Sequence, residues 1–176
     1  MYNLNDPGTR RYAVWMAIAL VVVIADQLTK MAIIDFIDLY GRVSLTSFLN
    51  LTHQRNYGAA FSFLADAGGW QRWFFVALAS IVSAVLAIWI WSIRSEGPVI
   101  LAAGLALVLG GAVGNLIDRV RLGYVTDFIQ VDLSIPFFDP FPSFNVADSA
   151  ITIGAALLII DALFVSGKKD RKSDSG

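Results

Sequence analysis

Cysteine is absent from this sequence, so disulfides, thiolate metal sites and a cysteine nucleophile are all excluded. Histidine occurs once, at His53, and one imidazole cannot build a zinc site; the HExxH helix pattern of metalloproteases is missing as well. No cofactor or metal is therefore expected. His53 itself is expected to be a solvent-side polar residue rather than a catalytic base. Charge is scarce too: 15% of the 176 residues are charged, the net charge is -1, and no basic block suggests nucleic acid. What fills the space is apolar, at 57% of residues with a mean hydropathy of +0.66, which is the balance of an integral membrane protein.

Four apolar runs are long enough to cross a bilayer at 1.5 Å per helical residue. They cover about 12–34, 73–93, 98–117 and 146–165 in a single membrane domain, 1–176. The first starts after Arg10 and Arg11, and its basic start and Val23-Ile24-Ala25 also fit a cleavable signal peptide. Apolar residues resume at Met31, as a continuing helix requires. The second carries Trp89 and Trp91, suited to an interfacial belt. Gly110 and Gly114 in the third form a GxxxG, which lets a neighbouring helix approach closely.

In the loop 35–72, Val43, Leu45, Leu49 and Leu51 alternate with polar neighbours and predict short strands. The fold expected is thus all-α with four transmembrane helices and a small β-containing extracytoplasmic subdomain between the first and second. The second outer loop is 118–145, and 166–176 reads as a solvated tail.

Arg10, Arg11, Arg94, Lys168, Lys169, Arg171 and Lys172 lie in the ends and the short turn; Arg42, Arg55, Arg72, Arg119 and Arg121 lie in the two longer loops. The positive-inside rule then places both termini in the cytoplasm. With that orientation Asp26, Lys30, Asn115, Asp118, Arg119, Asn145 and Asp148 gather in one outer layer, with Asp127 in a polar loop just above it. Asp161 lies at the opposite end of the bundle, near enough to its edge to reach water.

An ionised side chain at the bilayer centre costs at least roughly 2.5–3.5 kcal/mol, so several in one layer imply a site. Asp127 and Asp148 flank Ile135-Pro136-Phe137-Phe138-Asp139-Pro140-Phe141-Pro142-Ser143-Phe144, whose prolines break any helix and let the chain fold back. Two close carboxylates cannot both ionise easily; sharing a proton, one acts as base toward water and the other as acid. The plainer reading makes Asp148 a helix cap and Asp127 an ordinary loop residue. Asp26 and Lys30, four apart, form an ion pair. A competing reading makes Lys30 the base for a serine nucleophile, Ser149 or Ser62, although neither sits in a GxSxG elbow or an SxxK frame.

Five blocks settle between these readings by resemblance: Asp26-Gln27-Leu28-Thr29-Lys30, Asn56-Tyr57-Gly58-Ala59-Ala60-Phe61-Ser62, Gly111-Ala112-Val113-Gly114-Asn115-Leu116-Ile117-Asp118-Arg119, Val125-Thr126-Asp127-Phe128 and Phe144-Asn145-Val146-Ala147-Asp148. In this order between four spans, they resemble the motifs of bacterial lipoprotein signal peptidase (signal peptidase II) over residues 12–165. The resemblance implies a membrane aspartyl endopeptidase of the bacterial cytoplasmic membrane. It would remove the signal peptide of diacylglyceryl-modified prolipoproteins just before the lipidated cysteine, at the periplasmic face. It also implies Asp127 and Asp148 as the catalytic dyad, Asn56, Gly58, Asn115, Arg119 and Asn145 at the site with Asp26 and Lys30 in support, contact with membrane lipid, and inhibition by globomycin-type cyclic peptides. Phe61, Phe63, Trp70, Phe137, Phe138, Phe141 and Phe144 would then close over the substrate as a lid, with Gly68 and Gly69 permitting movement. The alternatives from other classes are a small proton- or ion-coupled transporter and a structural membrane subunit.

Overall fold

The computed structural model describes residues 6–58, 70–133 and 141–166. The first helix, α1 (Pro7–Phe36), begins five residues before the apolar run. Its start is set by chemistry: the Asp6 side chain accepts from the Thr9 backbone N–H at 2.9 Å and from its hydroxyl at 3.1 Å, and Pro7 opens the first turn. α2 (Trp70–Ser92) and α3 (Val99–Arg121) are joined by a short polar turn in which the Arg94 guanidinium stacks over Trp91 at 4.0 Å. Arg11 reaches this turn through a hydrogen bond to the Gly97 carbonyl, and Tyr12 packs edge-on to Trp91, so the start of α1 is stitched to the α2–α3 end. α4 (Val146–Ile160) continues into a π-helical turn, Asp161–Ser166.

α3 is the central helix, and its glycines explain how. A Cβ on Gly110 would sit 2.7 Å from the Ala19 carbonyl of α1 and one on Gly114 2.7 Å from Asp26 Oδ2, so the GxxxG face meets α1. Gly104 and Gly111 face α4: a Cβ on Gly111 would fall 2.4 Å from the Ala147 carbonyl. Ala19, Leu86, Ile90, Leu105, Ala106 and Leu109 form the buried core between α1, α2 and α3. Apolar side chains such as Val21 and Leu28 of α1 and Trp73, Ile81 and Ile88 of α2 point outward and exposed, as lipid-facing surfaces do. All four helices are long and apolar enough to span a membrane.

The small sheet is antiparallel, ordered β1 (Arg42–Ser44), β2 (Leu49–Asn56), β3 (Val125–Val131). The alternation in 35–72 did mark two strands, but the third comes from the segment after α3. Asp127 is therefore on a strand, paired with Gln54, and not in a polar loop. Asp118 and Arg119, expected in the outer loop, belong to the last turn of α3.

Two further expectations fail on burial. His53 is 5% exposed, because Nδ1 bonds the Ile37 carbonyl where α1 meets the sheet. Asp161 is 3% exposed, turned inward where α4 widens into the π turn. The lid residues Phe61, Phe63, Gly68, Gly69, Phe137 and Phe138 lie outside the described residues.

Candidate active site

Five elements, α1, β2, α3, β3 and α4, converge at the sheet end of the bundle. Asn145 is the cap of α4, in extended conformation, with Oδ1 accepting the Asp148 N–H at 2.9 Å while Asp148 Oδ2 accepts the Asn145 N–H at 3.2 Å. Asp148 thus does cap its helix, as the plainer reading holds. Capping engages one oxygen only: the other, Oδ1, accepts from Asn115 Nδ2 at 2.8 Å and lies on a cavity.

On the opposite wall, β3 presents Asp127. Its Oδ1 accepts from Asn145 Nδ2 at 2.7 Å and its Oδ2 from Asn56 Nδ2 at 3.0 Å. Asn145 therefore touches both aspartates, donating to one and accepting from the other's backbone. Burial and then the neighbouring Asp148 push the Asp127 carboxyl up to about 7, against the opposing pull of the two amide donors and Lys30. Near neutral pH it is poised to hold or release a proton.

Beneath the dyad lies an ionic layer. Lys30 Nζ has three protons and three acceptors: Asp26 Oδ2 at 2.8 Å, Asn115 Oδ1 at 2.9 Å and Asp118 Oδ2 at 3.0 Å. All three charged groups are buried. The Asn115 oxygen accepts from Lys30 and, at 3.2 Å, from Asn145 Nδ2, so its NH2 must face Asp148 and these two donors set the amide's orientation. Asp26 Oδ1 accepts the Ala147 N–H at 2.9 Å, tying α1 to the first turn of α4. The expected Asp26–Lys30 pair is present; Asp118 as its second acid was not foreseen.

Arg119 lies at the rim, donating to the Gly58 carbonyl at 3.1 Å with its guanidinium 5.1 Å from the Phe75 ring. Gly58 itself donates its N–H to Asn56 Oδ1 at 3.0 Å, which points the Asn56 NH2 at Asp127. The structure thus brings together Asp26, Lys30, Asn56, Gly58, Asn115, Arg119, Asp127, Asn145 and Asp148.

The serine alternative does not fit this geometry. Lys30 has no spare donor, and Ser149 gives its hydroxyl proton to the Asn145 carbonyl at 2.9 Å; Ser62 lies outside the described residues.

The cavity holding both carboxyls measures about 910 Å³. Gln54, Arg55 and Gln130 line it from the sheet, and Phe141, Phe144, Ile151 and Ile153 give it an apolar side. Gln54, Gln130 and Thr152 were not picked out from the sequence. The signal for Gln130 was available: Val125-Thr126-Asp127-Phe128-Ile129-Gln130-Val131 is rich in β-branched and aromatic residues, a strand composition.

Comparison with known proteins agrees on one family. A family model described as "Signal peptidase (SPase) II" matches residues 18–164. The chain is 47% identical to the lipoprotein signal peptidase of Shewanella pealeana, covering 98% of this chain and 96% of that one. It is 45% identical to that of Acinetobacter baumannii, covering 92% and 90%. A solved structure described as a bacterial membrane enzyme obtained by the in meso method superposes with a TM-score of 0.77 at 34% identity, covering 89% of this chain and 92% of that one. None of these relatives supports the transporter alternative.

Proposed function

The chain belongs to the signal peptidase II family, and on that premise we propose that Asp127 and Asp148 are the dyad with which it hydrolyses the peptide bond just before the diacylglyceryl-modified cysteine of prolipoproteins. The observation that carries this reading is that the two carboxyls, Asp127 buried and Asp148 half-buried, line one cavity and are joined through a single asparagine, Asn145. The ionised carboxylate takes a proton from water as the oxygen adds to the scissile carbonyl carbon. The protonated one then donates to the leaving nitrogen as the C–N bond breaks, releasing the signal peptide's new carboxyl and the cysteine's free amine.

Asn56, Asn145 and Asn115 spend amide protons on the two aspartates, which fixes each carboxyl's direction before substrate arrives. Arg119, held by the Gly58 carbonyl, is placed at the rim to meet a substrate carbonyl or carboxyl. Asp26 and Lys30 support from below. Phe141, Phe144, Ile151 and Ile153 give the substrate's acyl chains an apolar wall continuous with lipid. The basic residues at the ends and the short turn support cytoplasmic termini, which would place this end of the bundle at the periplasmic face of the bacterial cytoplasmic membrane. Globomycin-type cyclic peptides would compete for the same cavity.

The test is cleavage by the purified protein in detergent, with one prolipoprotein offered with and without its diacylglyceryl group. Cleavage of the modified form alone, just before the cysteine and insensitive to chelator, is expected. Equal cleavage of both forms, or a cut elsewhere, would overturn the substrate assignment.

A further inference from the structure

Asp118 is the one acid of the buried layer that reaches out of the helices to the sheet. It is 3% exposed, in the last turn of α3. Its Oδ1 accepts from Gln27 Nε2 at 2.9 Å, and its Oδ2 is shared between Lys30 Nζ and the backbone N–H of Thr126 at 3.1 Å. Thr126 is the residue before Asp127. Its N–H is held by Asp118 of α3 and its carbonyl accepts from Asn145 Nδ2 at 3.3 Å, so the two peptide groups flanking Thr126 are held, one through α3 and the other through the cap of α4.

The connection it spans needs such a hold. Between α3 and β3 the chain turns at Gly123, with φ of 85°, and Asp118 reaches across that turn to Thr126's N–H. A strand's neighbouring residues move together, so a shift of Thr126 would carry the Asp127 carboxyl with it. Positional error of about 1 Å at reacting groups can cost on the order of a hundredfold in rate.

We propose that Asp118 is a positioning residue for catalysis: its carboxylate, anchored by Lys30 and Gln27, holds the Thr126 peptide and thereby sets Asp127 against Asp148. This rests on the dyad reading above. Lys30 divides its three protons among Asp26, Asn115 and Asp118, so one ammonium helps to set Asn115 toward Asp148 and Asp118 toward the strand carrying Asp127. The charged groups facing Asp127 are Lys30 from α1, Arg119 from α3 and Asp148 from α4, and Arg55 of β2 lines the same cavity.

The experiment compares Asp118→Ala, Asp118→Asn and Asp127→Asn, measuring kcat and KM for a diacylglyceryl-modified prolipoprotein across pH, with folding followed by thermal unfolding. Asp118→Ala loses the acceptor, and kcat should fall at least tenfold with KM within twofold. Asp118→Asn keeps an acceptor for Thr126 and loses the charge that offsets Lys30. Its kcat should fall less, and its alkaline limb should move to lower pH as the ammonium's field on Asp127 is less opposed.

Should the alanine variant fail to fold, the asparagine variant decides, and an unchanged kcat and pH profile there would refute the proposal. A folded alanine variant with kcat within twofold of the parent, or a rise in KM alone, would refute it as well. Asp127→Asn separates the two claims: if it is inactive while Asp118→Ala is fully active, the tether fails and the dyad stands; if it is fully active, the dyad itself is wrong.

Discussion

Replacing Lys30 by Met puts the ionic layer under the most direct strain. The side-chain volumes are similar, so packing changes little while the ammonium is removed. Lys30 is 2% exposed, and its partners Asp26 and Asp118 are 0% and 3% exposed, so neither acid can turn to water. Both lose a contact of 3.0 Å or less, and Asn115 loses the closer of the two donors to its oxygen, Asn145 Nδ2 remaining at 3.2 Å. Removing one member of a buried ionic group leaves an uncompensated charge and costs about 3–5 kcal/mol, which for a chain of this size corresponds to roughly 6–20 °C in melting temperature. The charge-neutral combination Asp26→Asn, Lys30→Met, Asp118→Asn removes all three charges together, and should melt well above the single Lys30→Met variant. The assay is thermal unfolding in detergent by intrinsic tryptophan fluorescence, with parent, single and triple variants scanned alike. A single variant melting within about 2 °C of the parent, or a triple variant no better than the single, would refute the reasoning.

Other outcomes follow from the same geometry. Asp127's carboxyl is raised to about 7, so cleavage should decline as pH rises past that value and the second proton of the dyad is lost; activity still climbing at pH 9 would contradict this. The sign for stability is the same: a raised carboxyl contributes stability that is fully present below its unfolded value of about 3.9 and lost as pH rises to about 7. The fall in melting temperature from pH 5 to pH 8 should accordingly be smaller in Asp127→Asn than in the parent. Gly114→Leu drives a side chain into the space of Asp26 Oδ2, 2.7 Å from where a Cβ would sit, and should lower the melting temperature by an amount set by about 1–3 kcal/mol or more of overpacking. An unchanged melting point would mean that this face of α3 meets lipid.

Much of this was legible in the sequence, for reasons that differ by element. The four spans show in hydropathy because lipid imposes it, and their ends drift by a few residues because caps, not hydropathy, set them: Asp6 and Pro7 start α1 ahead of its apolar run. The Asp26–Lys30 pair shows because helical spacing alone brings the two together. β3 was hidden because its alternation is broken by the adjacent apolar pair Phe128-Ile129 and because its partner, β2, lies some 70 residues earlier. His53 misleads because a polar residue in an outer loop reads as exposed, whereas the sheet folds it onto the end of α1. Asp118's link to Thr126 depends on a side chain meeting a backbone amide across a turn, and no residue pattern records that.

The central claim is the dyad, and the most direct measurement is single-turnover cleavage of a diacylglyceryl-modified prolipoprotein by Asp127→Asn and by Asp148→Asn, each confirmed as folded by its melting curve. Each asparagine keeps the shape of the side chain it replaces and cannot take or give the shared proton. Cleavage should fall by a thousandfold or more in both. Activity close to the parent in either folded variant would contradict the account.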